Sequence, residues 1–327
     1  MSQDRDLGAQ MSAENRSLHS ERGLVAAVAR AYYIEDRSRV EIAETFGISR
    51  FKVSRLLTRA REEGIVTFQI NDWGLPDPTL GERLKDELGL VDCHVVRTNG
   101  DEDSVRQQIG AAAASLLSAT LKADEVLGVA WGRTLTATTG RLDHLPRLSI
   151  VQLTGFIAGD IGSSPIEVAR QASRQSGGEV YPIFAPLFVQ DRETADGLRN
   201  HHDIRSAMKL FPSITTALLS VGAWNPPDTQ IRDVLLPDDL EKAVTSGCVA
   251  DIAGILIKED GSPAYAALQE RSINISYDQL RNVPRVVAVA GGAAKAEAIR
   301  AVVRGGLITE LVTDHALALE VLGESDA

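Results

Sequence analysis

Two stretches of this sequence run from an apolar segment through glycine into a helical pattern that carries hydrogen-bond donors. In the first, residues 126–134 (VLGVAWGRT), Gly132 lets backbone N–H groups face a ligand. Arg133 and Thr134 add donors at a helix start, where the peptide dipoles favour negative charge. In the second, residues 286–295 (VVAVAGGAAK), Lys295 falls in the first helical turn. A cation there opposes the dipole, and a bound phosphate would offset the penalty. The plain alternatives are a tight turn with a threonine cap and a solvated lysine. VQLTG at 151–155 sets Thr154 and Gly155 at the same sheet edge, or is a simple strand exit. Asp251 (in VADIAG, 249–254) and Arg271 (in QERSI, 269–273) suit hydroxyl groups and an anion, or a structural ion pair. The chemistry these residues share is non-covalent capture of a polar, anionic small molecule.

A different chemistry is concentrated near the N-terminus. From Arg22 to Arg61 there are nine basic residues against four acidic, a surplus of +5 in a chain of net charge −11. Residues 1–21 carry −2 and the remainder after Arg61 carries −14. Residues 40–57 have the spacing of a helix-turn-helix: Ala43 is small where two helices cross, Gly47 permits the turn, and Val53 and Leu56 plug the interface. Ser49 caps the last of these helices, and Val53, Leu56, Leu57 and Ala60 form its apolar stripe. Opposite lie Phe51, Ser54, Arg55, Thr58 and Arg59, flanked by Arg50, Lys52 and Arg61, with no acid between Gly47 and Arg61. A helix dry on one side and cationic on the other suits the major groove of B-DNA. Arg55 is placed for bidentate guanine readout, Phe51 for a thymine methyl, and Arg50, Lys52 and Arg59 for phosphates. The alternative is an ordinary three-helix lobe with solvated arginines.

Several chemistries are absent. Gly132 is not in a P-loop, because G-x-x-x-x-G-K-[ST] does not occur, and there is no G-x-S-x-G elbow. None of the six histidines has a metal-ligand spacing, and the adjacent His201 and His202 would diverge on a helix. Cys93 and Cys248 stand far apart among apolar residues and read as buried thiols in a reducing compartment. No cofactor is implied. No apolar run approaches the ~20 residues of a membrane span, and the N-terminus lacks the pattern of a secretory signal, so a cytoplasmic protein is expected.

These residues need elements to position them. Three helices are readable between Glu21 and Glu63: the first carries Leu24, Val28, Ala31 and Tyr32, the second is capped by Ser38 and buries Ile42, Ala43 and Phe46, and Gly64 stops the third. Residues 65–70 alternate weakly, as a short strand or wing. The expected domains are a flexible N-terminus (1–20), a helix-turn-helix domain (21–70), a linker with Trp73-Gly74 and two prolines (71–78) and an effector domain (79–327). Beyond the linker, β-rich runs at 91–96, 126–131, 149–153, 180–184, 216–222, 248–257, 285–290 and 307–312 alternate with helical windows such as 104–121, 164–176, 236–246 and 293–304. That alternation predicts an α/β fold with a mostly parallel sheet, which binds ligands at its strand ends. Trp224-Asn-Pro-Pro-Asp228 reads as a loop beside that edge, either plain, or gating the ligand or contacting a partner.

Taken together, LGVAWGRTL (127–135), VQLTG, APLFV (185–189), VADIAG, the Arg271 segment, PRVVAVAGGAAKAEAI (284–299) and LVTD (311–314) resemble the SorC/DeoR-type family of bacterial sugar-responsive transcriptional regulators. With the basic segment included, the resemblance spans nearly the whole chain. It implies an N-terminal (winged) helix-turn-helix domain and a Rossmann-like effector domain similar to phosphosugar isomerases and glucosamine-phosphate deaminases. It also implies a sugar or sugar-phosphate site comprising Gly132, Arg133, Thr134, Thr154, Gly155, Asp251, Arg271 and Lys295. Some relatives carry lysine or arginine where Thr154 stands, which argues against a Schiff base there; Asn274 replaces a commonly small residue.

The expected function is operator binding controlled by a sugar effector, with a homo-oligomer, dimer or tetramer, presenting paired helices to double-stranded DNA. The competing reading is a phosphosugar isomerase or deaminase with an appended helical lobe. A third is a DNA-binding protein whose body merely oligomerises.

Overall fold

The structure, a computed structural model, describes residues 21–68, 73–157 and 161–324. The N-terminal segment 1–20 lies outside these residues. The chain divides into two compact units, Met1–Asn71 and Asp72–Ala327.

The first unit is a three-helix lobe. Helix α1 (Glu21–Tyr33) buries Val25, Val28, Ala29 and Ala31. Helix α2 (Arg39–Phe46) begins in a capping box, where the Ser38 N–H donates to Glu41 Oε2 at 2.8 Å and the Glu41 N–H to Ser38 Oγ at 3.3 Å. It ends at Gly47, whose φ of 62° lets the Ile48 N–H return to the Ala43 carbonyl at 3.0 Å. Ser49 then caps α3 (Arg50–Glu62), accepting the Lys52 N–H at 3.2 Å. Val53, Leu56, Leu57 and Ala60 of α3 close the lobe's core against Ile42 and Val28.

The strand or wing expected at 65–70 is not formed in its described part, 65–68. The Val66 N–H instead donates to the Ala60 carbonyl at 2.9 Å, completing the end of α3, and Ile65 and Val66 pack on the lobe's core. Residues 69 and 70 lie outside the described residues.

In the second unit, residues 73–77 are held rather than free: the Gly74 N–H donates to the Arg97 carbonyl at 2.6 Å and the Asp77 N–H to the Val95 carbonyl at 2.8 Å. Helix α4 (Pro78–Leu88) follows, capped by Asp77. Then come β1 (Asp92–Val96), α5 (Glu102–Thr120), β2 (Val126–Val129), α6 (Arg133–Thr139), β3 (Ser149–Gln152), α7 (Pro165–Ser176), β4 (Val180–Tyr181), α8 (Arg192–Asn200) and α9 (His202–Met208). The remainder is β5 (Thr216–Trp224), β6 (Pro227–Asp228), α10 (Ile231–Val234), α11 (Pro237–Thr245), β7 (Cys248–Ile252), β8 (Ile255–Lys258), α12 (Ala266–Glu270), α13 (Tyr277–Arg281), β9 (Arg285–Val289), α14 (Ala296–Arg304), β10 (Glu310–Asp314) and α15 (His315–Leu322).

The main sheet is parallel, in the order β1-β10-β9-β5-β2-β3-β4. Its strands are apolar on both faces because helices cover both, which is why they read as continuous runs. The chain advances from β2 outward to β4, then returns to β2's other flank at β5 and proceeds through β9 and β10. The switch point between β2 and β5 is where an open α/β sheet leaves a crevice outside its strand ends.

The run 248–257 is two strands, not one. Ala253 (φ 50°) and Gly254 (φ 80°) make a tight turn between β7 and β8, and both residues adopt the positive φ of a type I′ hairpin. Strand β7 pairs antiparallel with the far half of β5, placing Asp251 opposite Gly222.

Candidate functional site

On α3 the residues expected to meet DNA form one outward face. Arg50, Phe51, Lys52, Arg55 and Thr58 are exposed, Ser54 is half-buried, and Phe51 is 86% exposed. Arg59, expected to hold a phosphate, is half-buried: its Nη1 lies 2.9 Å from Glu21 Oε1 and its Nε pairs with Glu63. These two pairs tie α1 to the end of α3 through Arg59.

In the second unit, a cleft of about 640 Å³ opens at the C-terminal ends of β2, β5, β9 and β10. Gly132, with φ at 144°, turns the chain out of β2, and a β-carbon there would lie 2.7 Å from Ser220 Oγ. Arg133 and Thr134 follow on the cleft wall. Gly222 has no room for a side chain either, since its β-carbon would sit 2.3 Å from Asp251 Oδ2. That close approach brings Asp251 from β7 against the end of β5. Asp251 is buried, and Trp224 Nε1–H donates to its Oδ2 at 2.9 Å. Burial pushes the Asp251 carboxyl above its ordinary value, against hydrogen bonds from Thr229 and Trp224.

Lys295 enters from the opposite wall, after the Gly291-Gly292 turn that ends β9. Its Nζ donates to the Val221 carbonyl at 2.7 Å and pairs with Asp228 Oδ2 at 3.1 Å. Asp228 Oδ1 is 3.3 Å from Arg133 Nη2. Burial raises the Asp228 carboxyl, but the charges of Lys295 and then Arg133 outweigh it and hold the group below its ordinary value. Asp314, at the end of β10, accepts the Gly292 N–H at 3.1 Å and the Leu317 N–H at 3.0 Å, and burial raises its carboxyl. Carboxylates backed by N–H donors, beside a lysine and two arginines (Arg106 and Arg133), suit a polyhydroxylated ligand with an anionic end.

The cleft therefore gathers Gly132, Arg133, Thr134, Asp251 and Lys295 but not Thr154, Gly155 or Arg271. Thr154 is fully buried and bridges Asn274. Gly155 serves close packing, since a β-carbon there would fall 2.5 Å from the Ala185 carbonyl. Arg271 is an ion pair with buried Asp239, with Nη1 donating to the Val189 carbonyl at 3.2 Å. Asn274 braces the hairpin behind Asp251: its Nδ2 donates to the Ala253 carbonyl at 2.8 Å.

Sequence reasoning missed Arg106, Glu102, Asp228 and Asp314 at this cleft. Asp228 ends the proline-rich loop already singled out, and Asp314 ends LVTD. Arg106, on α5 with Glu102 at 2.5 Å, carries no signal in one sequence. Both cysteines are free, and burial pushes the Cys93 thiol up to about 12. Among the described residues no helix is long and apolar enough to cross a membrane.

Comparison with known proteins agrees with this architecture. Residues 77–323 match the family model described as "Putative sugar-binding domain". The uncharacterized transcriptional regulator YjhU of Escherichia coli K12 is 29% identical over 296 residues, covering 88% of this chain and 90% of its own. The transcriptional regulator LsrR of Klebsiella pneumoniae is 29% identical over 307 residues, covering 93% and 94%. The full-length sorbitol operon regulator SorC from Klebsiella pneumoniae superposes with a TM-score of 0.69 at 22% identity, over 90% of this chain and 97% of that one.

Proposed function

Because the chain belongs to the SorC-type family of sugar-binding transcriptional regulators, we propose that its cleft binds a sugar or sugar phosphate without turnover and thereby sets the affinity of the α3 face for an operator. The observation that carries this reading is the convergence of Gly132, Arg133, Thr134, Asp251 and Lys295, from three separate segments, at the switch point of the sheet. Asp251 accepts hydroxyls, and Lys295 and Arg133 take the anionic end. The names of the relatives support regulation rather than catalysis.

On the DNA side, Arg55 reads a base edge while Arg50 and Lys52 hold phosphates; Ser49, Ser54 and Thr58 complete the face. The protein acts in the cytoplasm as a dimer or tetramer, so its operator is a palindrome with half-sites whole helical turns apart. Effector changes DNA affinity through its differential affinity for two arrangements of the oligomer, typically by ~1–3 kcal/mol.

The test is a thermal-shift screen with pentose and hexose phosphates and polyols. A true effector at about 100 times its Kd adds ~2.7 kcal/mol of stability. Saturable stabilisation without product supports the proposal; turnover supports the isomerase reading, and no response across the panel removes the cleft as a sensor.

A further inference from the structure

The two cations best placed to hold an effector's anionic end already share a partner. One Asp228 oxygen lies 3.1 Å from Lys295 Nζ, and the other lies 3.3 Å from Arg133 Nη2. A carboxylate that gives one oxygen to each of two cations reproduces the way a phosphate bridges them. Arg106, the third cation of the cleft, is instead engaged by Glu102 and Asp103, each at 2.5 Å. Lys295 is held on its other side by the Val221 carbonyl at 2.7 Å, so its ammonium stays in place whatever happens to Asp228.

Asp228 itself is lightly anchored. It belongs to β6, a strand of two residues whose register against β5 consists of Ala223↔Asp228 and Trp224↔Pro227. Its side chain is 41% exposed against 14% for Lys295, so it approaches the lysine from the rim. Outward movement returns the carboxylate to water at little desolvation cost, and leaves the main sheet untouched.

We infer that Asp228 is an internal stand-in for the effector's phosphate: a phosphorylated sugar binds by displacing the Asp228 carboxylate from Lys295 and Arg133, whereas an unphosphorylated sugar leaves it seated. This rests on the sugar-sensing reading of the cleft and goes further, making Asp228 the residue that sets selectivity for phosphorylation. A phosphate ester brings more charge and more acceptor oxygens than the carboxylate it replaces, so the exchange favours it where a neutral hydroxyl does not. Displacement also moves Thr229, whose hydroxyl bonds Asp251, and so couples the anionic end of the cleft to its hydroxyl-binding end.

The experiment uses the full chain and inorganic phosphate as the probe, titrated calorimetrically against wild type, Asp228→Asn, Lys295→Ala and the double variant. Asp228→Asn is expected to bind phosphate roughly 10- to 100-fold more tightly than wild type, the effect of removing one opposing charge at contact range. The gain disappears in the double variant. In wild type, which needs no substitution to fold, saturating phosphate raises amide hydrogen exchange across residues 225–230. An Asp228→Asn protein that is folded but binds phosphate no better than wild type, or unchanged exchange at 225–230 under saturation, overturns the inference. If either occurs while sugar phosphates still stabilise the wild type, only the displacement fails and the sensing role stands. If phosphate, every sugar phosphate and every polyol of the panel fail to bind, both fall.

Discussion

Trp224 and Asp251 are joined across two antiparallel strands, the indole N–H donating to the buried carboxylate at 2.9 Å. The bond orients an acid whose ionised form burial disfavours. A native carboxyl value raised above the unfolded one means the folded chain holds its proton more tightly. Asp251 therefore costs stability as pH rises from the unfolded value of about 3.9 through the raised native value. Asp251→Asn is expected to be more resistant to urea than wild type, by a margin that widens as pH climbs through that window and then levels. A margin that shrinks with pH would contradict it. Binding of a sugar effector should fall by roughly 2- to 10-fold, the loss of one acceptor for a sugar hydroxyl.

Gly132 is a second place where geometry dictates the residue. With φ at 144° and Ser220 Oγ 2.7 Å from the β-carbon position, Gly132→Ala must displace the serine from its 3.0 Å bond to the Trp131 carbonyl. The substitution should cost about 1–3 kcal/mol of unfolding free energy. Adding Ser220→Ala should recover part of it, which chemical denaturation of the two variants will show.

Lys295 is the residue on which the proposed effector's charge can be tested. Lys295→Ala should weaken a sugar phosphate at least about tenfold more than its unphosphorylated analogue, because a charge-assisted bond is lost only in the first case. Equal weakening in paired calorimetric titrations would show that the lysine does not meet the phosphate.

On the α3 face the proposed DNA contacts predict three separable outcomes. Arg55→Ala should abolish preference for the operator over random duplex while leaving fold and oligomer intact. Lys52→Ala should lower affinity for all duplexes and reduce the salt slope of log K by about 0.9. Arg59→Ala should leave that slope unchanged, since Glu21 and Glu63 already claim the side chain. Fluorescence anisotropy across a salt series distinguishes them.

Much of this was legible in the residues. Ser38, Gly47 and Ser49 encode the three-helix lobe through local capping, which needs no partner far along the chain. The parallel sheet was visible because strands buried on both faces must be apolar throughout. The same property hid the hairpin at Ala253-Gly254: apart from Asp251, VADIAGILI is apolar on both sides of its turn, so Gly254 alone marks the reversal. Residues 65–70 alternate only weakly, as a short strand or wing could, and in their described part Val66 completes a helix end instead.

What the sequence by itself determined is the pair of chemistries, a cationic helix on a capped lobe and glycine turns at the ends of apolar strands. Local spacing and hydrophobic period suffice for those. Only the tertiary structure decided which polar residues meet. It set Arg271 against Asp239, away from the cleft, and carried Asp228 between Arg133 and Lys295. Charge pairing across residues 133, 228 and 295 depends on the order in which strands assemble in the sheet, and that order has no local signature.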